Sequence, residues 1–425
     1  MRAALWLLAL FAVAVAVALF AGNNQGTVTL YWPPYRVDLS LNLVLLLLAL
    51  AFVTLHLALR ALSGLLHIPV QAKRWRLLYK ERAMHVALLD ALSHLVAGRF
   101  VRARKAAELV VTLEESLRSS EEHTAHGVRL RTMSHLIAAE SAHALQDRGR
   151  REQHFQSALE MTRPSHAQDS RDGVLMRAAR WSFDDRDANA ALDWLDQLPQ
   201  GTARRTIALR LRLKAARLAG QSRAALDAVR LLTKHRAFSE VAGAGIARGL
   251  ALEILRAAHD PVQLQRAWEG LDLAERHMPE VALEAAERCL SLGGDVALSR
   301  QWVLPLWATM DERLEGLSLP LRVRLVRLLE RGFAQDSGAP DAAWLQRIES
   351  LQLANPGDPL LQYLAGMMCA RLALWGKAQQ MLRQSLGMLK DSALKRDAWL
   401  ALAKMAEQRQ DGSAAAQAYR EAAKA

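Results

Sequence analysis

Charge is almost missing from the first sixty residues, and this limits what the chain can fold into more than any other feature. Before Arg60 the charged side chains are Arg2, Arg36 and Asp38, whereas nearly all the remaining charge of a 425-residue chain follows. Such a shift divides a chain into a part that avoids water and a part that faces it. The first apolar run, Ala3 to Ala21, carries no charge. As a helix it would span roughly 28 Å, close to the hydrocarbon thickness of a bilayer. A cleavable signal sequence competes for this run, because Ala16, Ala18 and Ala21 place small residues near its end. The length of the run, and a second apolar stretch soon after it, favour a membrane helix.

The second run is Leu39 to Leu59, with Ser40, Asn42, Thr54 and His56 as its polar members. Between the runs, Gly22 to Asp38 mixes Thr, Val, Tyr and Trp with turn residues, which predicts a short extended hairpin. Tyr31, Trp32 and Tyr35 suit a water–lipid boundary. The connector holds one basic residue, Arg36, while Arg60, Lys73, Arg74, Arg76, Lys80 and Arg82 follow the second run and Arg2 precedes the first. Basic flanks stay on the cytoplasmic side, so the expectation is a multi-pass protein of the cell inner membrane with both termini cytoplasmic. The Lys73–Arg82 cluster, with Trp75 and Tyr79, suits anionic membrane lipid. His56 lies close to Arg60 and reads as a residue near the inner interface.

From about Ala83 the composition is that of strong helix formers, Ala, Leu, Arg, Glu and Gln, with Pro and Gly falling between helical stretches. No alternating β-branched run is long enough for a sheet. Self-similarity near the 34-residue period of a tetratricopeptide (TPR) helix pair organises this body. Arg186-Asp187-Ala188-Asn189-Ala190-Ala191 aligns with Gly220-Gln221-Ser222-Arg223-Ala224-Ala225, placing Ala191 and Ala225 34 apart. Ala378 and Ala415 are 37 apart in the last two units, where Gly366, Cys369, Trp375 and Leu382 precede Trp399, Leu402, Ala406 and Tyr419. Weaker matches begin at Gly98 and Gly293. The expected fold is all-α: a two-helix transmembrane hairpin, with spans of about 3–21 and 39–59, followed by a TPR-like α-solenoid. The expected divisions are an anchor over 1–66, a first helical array over 67–335 and C-terminal repeats over 336–425, with Asp336–Pro340 as a loop. Such a stack offers a long concave surface suited to protein partners.

Catalytic chemistry finds no support. Gly243-Ala244-Gly245-Ile246-Ala247-Arg248-Gly249 has Arg248 where a dinucleotide loop needs its third glycine, and no strand precedes it, so it reads as a tightly packed helix. Phosphate-loop, nucleophile-elbow and zinc-protease motifs are absent. Cys289 and Cys369 are too few and too far apart for a disulfide framework or a CxxC site. His123, His126, His135, His143, His154 and His166 fall within 44 residues. His135 and His143 are eight apart, about two helical turns, and are candidate haem ligands sharing a helix face. Capping or exposed histidines are the competing reading, and no carboxylate or thiolate completes a metal set. No cofactor is implied, with haem as an optional bound ligand.

Net charge is +12, which favours anionic partners. Arg210, Lys214 and Arg217 share one helix face, and Arg180 matches Lys214 one repeat earlier. In repeat register that face lines the groove, as candidate binding residues for acidic peptide segments or propionates; a solvated face is the alternative. Aromatic interleaving and reader motifs for nucleic acid are lacking, so no nucleic-acid partner is expected.

The layout resembles the HemY family of proteobacterial membrane proteins associated with haem biosynthesis. The resemblance is carried by Gly26-Thr27-Val28 and Tyr35-Arg36-Val37-Asp38-Leu39-Ser40 before the second apolar run. It continues through Leu92-Ser93-His94-Leu95-Val96-Ala97-Gly98-Arg99-Phe100, Ala138-Ala139-Glu140-Ser141-Ala142 with Gln146-Asp147-Arg148-Gly149, and Trp268. It implies a non-catalytic inner-membrane scaffold acting late in protohaem formation, with terminal enzymes such as ferrochelatase as partners. A haem or porphyrin carrier and a general envelope-assembly adaptor are the alternatives. The flavin-dependent protoporphyrinogen oxidase that shares the name is excluded, because the flavin-binding start is missing.

Overall fold

In the computed structural model, residues 11–19, 22, 25–117, 124–163, 168–312, 316–334 and 340–425 are described. Helix formers occupy most of this length and helices result. The one sheet among the described residues is a two-stranded hairpin. The chain divides into two compact units, Met1–Ala167 and Gln168–Ala425.

In the first unit, residues 11–19 form a helix, α1, with an exposed surface. The rest of the first apolar run lies outside the described residues. Strands β1 (Thr27–Trp32) and β2 (Tyr35–Ser40) pair antiparallel, from Thr27 opposite Ser40 to Trp32 opposite Tyr35. The connector is thus the expected extended hairpin, and its Tyr31, Trp32 and Tyr35 are more than 70 % exposed. Ser40 then caps α2 (Leu41–Val96), its hydroxyl accepting from Leu43 N–H. At 1.5 Å per residue this helix is about 84 Å long, and it passes residue 66 without a break.

Leu41–Leu62 is long and apolar enough to cross a membrane, and none of it is buried. A largely exposed apolar surface of this size marks an interaction site, with a membrane or with protein. Val13, Ala16 and Val17 of α1 line a cavity of about 830 Å³ together with Leu43, Leu46 and Ala49, so α1 lies beside the start of α2. The far end of α2 packs on α3 (Phe100–Leu117), which packs on α4 (Thr124–Ala144), which in turn packs on α5 (Arg148–Met161). Among the described residues, small apolar clusters join these helices, one of Met84, Ala87 and Val110 and another of Ala91, Ala107, Ile137 and Ala138.

The second unit runs through α6 (Gln168–Asp184), α7 (Ala188–Asp196), α8 (Gln200–Ala203), α9 (Thr206–Leu218), α10 (Ser222–Lys234), α11 (Glu240–Arg256), α12 (Pro261–Glu269) and α13 (Leu273–Arg276). It continues with α14 (Pro279–Ser291), α15 (Val296–Glu312), α16 (Leu319–Ala334), α17 (Pro340–Ala354), α18 (Pro359–Arg371), α19 (Trp375–Met388), α20 (Ser392–Gln408) and α21 (Gly412–Lys424). Neighbours pack as antiparallel pairs, among them α6 with α7, α9 with α10, α14 with α15, α18 with α19 and α20 with α21.

One turn recurs inside these pairs and in the first unit. Gly98, Gln146, Arg186, Gly220, Gly293, Ala373 and Gln410 all have positive φ. At each, the N–H of that residue bonds the carbonyl three back, and the next N–H bonds the carbonyl five back. This left-handed closure satisfies the last carbonyls of one helix while turning the chain into the next. Asp147, Asp187 and Asp411 then cap the following helices. Five residues after five of these turns stand Ala103, Ala191, Ala225, Ala378 and Ala415, none more than 5 % exposed, while Arg151 and Leu298 take that place after Gln146 and Gly293. The alanine spacing in the sequence therefore marks the points where paired helices touch.

A continuous apolar core joins the second unit from Ala191 to Ala418. Trp268 stacks on Trp302 at 5.0 Å, and Trp307 meets Trp344 edge-on at 5.8 Å. Gly366 marks the closest approach of α18 and α19: a Cβ there would sit 2.7 Å from Leu382 Cγ. Gly243 lies within α11, where a Cβ would collide with Thr233 of α10, so the glycine-rich segment is a packed helix.

Candidate functional site

Helices α11, α14, α16, α18 and α20 lie side by side in that order. Charged side chains tie this row together. Arg248 reaches Glu280 at 2.7 Å, Arg256 reaches Glu284 at 2.8 Å, and Arg324 binds Glu287 at 2.7 Å and Glu284 at 3.5 Å. Arg322 pairs with Asp358, Tyr363 donates to Glu330 at 2.6 Å, and Arg327 reaches Asp391 at 2.6 Å. Asp358 and Asp391 also cap α18 and α20.

The titration of these groups follows from their partners. The Arg256 guanidinium, aided by Arg324, holds the Glu284 carboxyl below its usual range. Burial pushes Glu330 up, against the opposing hydrogen bond from Tyr363. At Asp391 burial acts upward but is outweighed by the Leu394 N–H and Arg327, so its carboxyl titrates low.

Two depressions open on this row. One, of about 490 Å³, is lined by Glu287, Ser291, Arg324, Arg327 and Arg331. The other, about 620 Å³, shares Arg324 and adds apolar wall from Val323, Leu360, Met388 and Leu389. Arg331 is exposed and has no ion pair among the described residues, so its charge stays available at the mouth of the first. These arginines were not among the residues expected from the sequence. The signal was present, since Arg324, Arg327 and Arg331 repeat the one-face spacing of Arg210, Lys214 and Arg217.

The expected basic face lies on α6 and α9, and all four of its residues are exposed. Arg180 and Lys214 hold the same register, six residues before the positive-φ residues Arg186 and Gly220. Arg180 is engaged by Asp184 on its own helix at 3.1 Å, and Arg210 donates to the Ala237 carbonyl at 3.3 Å. Lys214 and Arg217 have no ion pair among the described residues.

The histidines of the first unit are arranged differently from the sequence expectation. His135, 8 % exposed, meets His154 of α5 with its Nδ1 3.1 Å from the partner's Nδ1, and not His143. His143 lies 3.0 Å from Arg151 Nη1. The pairing of His135 and His154 crosses from α4 to α5, which spacing along one helix cannot reveal. His154 Nε2 is 3.6 Å from Glu108, and Arg131 pairs with Glu114 at 2.7 Å. Burial, then the neighbouring His154 and Arg131, lower the His135 pKa to about 4. Burial also lowers His154, against the pull of Glu108. Both rings are therefore neutral at pH 7, one Nδ1 donating and the other accepting. His123 and His166 lie outside the described residues. Among the described residues no group of three or more His, Cys, Asp or Glu is placed to hold a metal ion. Cys289 and Cys369 are buried free thiols whose pKa burial raises.

Residues 26–146 match the family described as the HemY protein N-terminus. No curated protein sequence matches the chain. Among solved structures it is similar to one titled "Structure of Naa15/Naa10 bound to HypK-THB", at 11% identity over 77% of this chain and 57% of that one, with a TM-score of 0.24. A second is the P58(IPK) TPR domain, at 12% identity over 77% of this chain and 99% of that one, with a TM-score of 0.23. The chain thus spans little more than half the length of the first. At such scores the likeness carries no weight, and the helix-pair architecture rests on the turns and alanine contacts described above.

Proposed function

We propose that this chain, whose residues 26–146 match the HemY N-terminal family, is a non-catalytic inner-membrane scaffold of late haem biosynthesis. It docks terminal pathway enzymes such as ferrochelatase through the charged face of its helix pairs. The observation that carries the docking reading is the depression where Arg331, without an ion pair among the described residues, stands beside the carboxylate-paired Arg324 and Arg327, next to a more apolar trough of similar size. That combination suits an acidic segment with apolar anchors, since charge steers and buried apolar side chains hold. Lys214 and Arg217, with Arg180 and Arg210, extend the basic surface on α6 and α9.

The anchor is residues 1–66, followed by arrays over 67–335 and 336–425. Both termini are cytoplasmic, α2 crosses the bilayer over Leu41–Leu62, and anionic lipid binds the basic residues that follow. Holding partners at the membrane raises their effective concentration without new chemistry. The carrier reading is less favoured, because His135 is buried and its Nδ1 is engaged by His154. A Soret band appearing on haem titration, and lost in His143→Ala, would restore it.

The test is a clean deletion together with a purified binding assay. Deletion should raise porphyrin intermediates while each isolated enzyme stays active. Ferrochelatase should bind the full chain in lipid nanodiscs and lose affinity for Arg331→Glu. Unchanged porphyrin levels in the deletion, with no binding in nanodiscs, would sink the reading.

A further inference from the structure

The outer face of α2 beyond the membrane segment carries a heptad. Trp75, Tyr79, Val86, Leu89 and Val96 fall on alternating spacings of four and three, and Arg82 and Ser93 fill the two remaining positions. All are exposed, from 57 % at Val86 to 88 % at Val96. The opposite face of the same helix is the one that packs: Met84, Ala87 and Ala91 are buried at 2, 6 and 0 %. A surface helix normally turns a polar face to water. Here an apolar line runs roughly 31 Å along the outside.

The period identifies the kind of partner. An ideal helix has 3.6 residues per turn, so a stripe repeating every 3.5 stays in contact only with another helix that it winds around. The phase also continues into the apolar segment. Counting back in the same alternation passes Ala72, Ile68 and Leu65 and reaches Ala61, Ala58, Thr54 and Ala51, the last four small and exposed. Small residues on one line let membrane helices approach closely. One seam thus serves both media, with small residues in lipid and large apolar ones in water.

We infer that this seam pairs with the same seam of a second copy, as a parallel two-stranded coiled coil from about Ala51 to Val96. A second copy is the occupant that brings the same phase through both media. Insertion in one membrane also fixes both helices in one direction. Charge complementarity favours the same arrangement. In a parallel pair the residue before Val86 in one helix faces the residue after Leu89 in the other. These are His85 and Asp90, neither ion-paired among the described residues. His85 Nδ1 is 2.7 Å from the Glu81 carbonyl, so in its protonated form His85 would donate from Nε2 to the carboxylate, whereas the neutral ring donating from Nδ1 offers Nε2 only as an acceptor. Arg82 and Ser93 lower the stability of such a seam and fix its register.

The parallel direction rests on the membrane reading above, while the heptad itself does not. The test uses the full chain in its own membranes, with single cysteines at Val86, Leu89 and Val96. Oxidation should give same-residue covalent dimers at all three, about tenfold above Val241→Cys, an exposed control off the seam. Dimers no more abundant than at Val241, or links only to a different protein, would overturn the inference. Linkage at only one of the three would overturn the parallel arrangement. A second measurement guards against misfolding: Leu89→Glu should keep its helical signal and weaken self-association in detergent about tenfold or more. Impermeant labelling of Trp32→Cys from outside reports the membrane topology separately. Arg331→Glu should leave the cross-links unchanged.

Discussion

The two units organise their apolar packing differently, although both enclose paired charge. In the first, a histidine pair and the Arg131–Glu114 ion pair are enclosed among α3, α4 and α5, and small apolar clusters at Met84 and at Ala91 pack beside them. In the second, one apolar core runs through the repeats, and the ionic contacts between helices range from exposed pairs such as Arg248–Glu280 to Arg322–Asp358, as enclosed as Arg131–Glu114. Repeats stacked on neighbours share one core, so charge can be left to select and align. A short helical bundle has fewer apolar contacts and depends more on keeping its buried polar groups neutral or paired.

The largest effect should come from the continuous core. Leu283→Ala removes a fully buried side chain from α14, and should cost about 3 kcal/mol or more, read as lower resistance to urea by circular dichroism. If the second unit tolerated this change, its core would not be continuous in the energetic sense.

The next test belongs to the first unit. Burial, then His154 and Arg131, lower His135 from the ordinary 6.5 to about 4 in the folded chain. Between these values the unfolded chain binds a proton that the folded chain refuses, so stability is full above about pH 6.5 and falls as pH drops toward 4. The upper bound is roughly 3 kcal/mol. Amide exchange in α4 should accelerate on acidification from pH 7 to 4.5, and less so in His135→Phe. Equal acceleration in α18 would mean that the histidine pair is not its source.

Arg230 sharpens the contrast within the second unit, because it reaches a nearly buried carboxylate. It binds Glu275, 3 % exposed, at 2.5 Å. Arg230→Ala leaves that charge without its guanidinium and should cost about 2 kcal/mol in thermal unfolding. Removing the cap in Asp187→Ala should cost about 1 kcal/mol. Smallest of all, Arg331→Glu should leave the melting temperature within about 1 °C of the parent, since exposed substitutions away from packed features change little. A large shift there would make the cationic depression part of the stabilising ladder and not a free surface.

Much of this was legible along the chain. Ala191 and Ala225 marked real contact points because each repeat must bring two helices together at the same place. Gly243 read as helix packing because Arg248 and the missing strand ruled out a phosphate loop. The Thr27–Ser40 hairpin was announced by turn residues between β-formers. The pairing of His135 with His154 was hidden, as was that of Arg324 with Glu287, 37 residues away. Both depend on how two helices face each other, and periodicity within a single helix carries no such information.

The sequence by itself determined the elements: an uncharged start, a long helix, a recurring turn and, after most of its copies, a small residue five positions on. Each follows from local physics, whether the cost of charge in lipid, helix propensity or a backbone closure that recurs wherever the chain reverses. The tertiary structure decided which charges are spent and which remain. Arg324 and Arg327 are held by carboxylates on neighbouring helices while Arg331 is left exposed. One face of α2 is buried against α3 while its heptad face stays open to water. Those outcomes depend on side-chain partners far apart in the chain, and only packing brings them within reach.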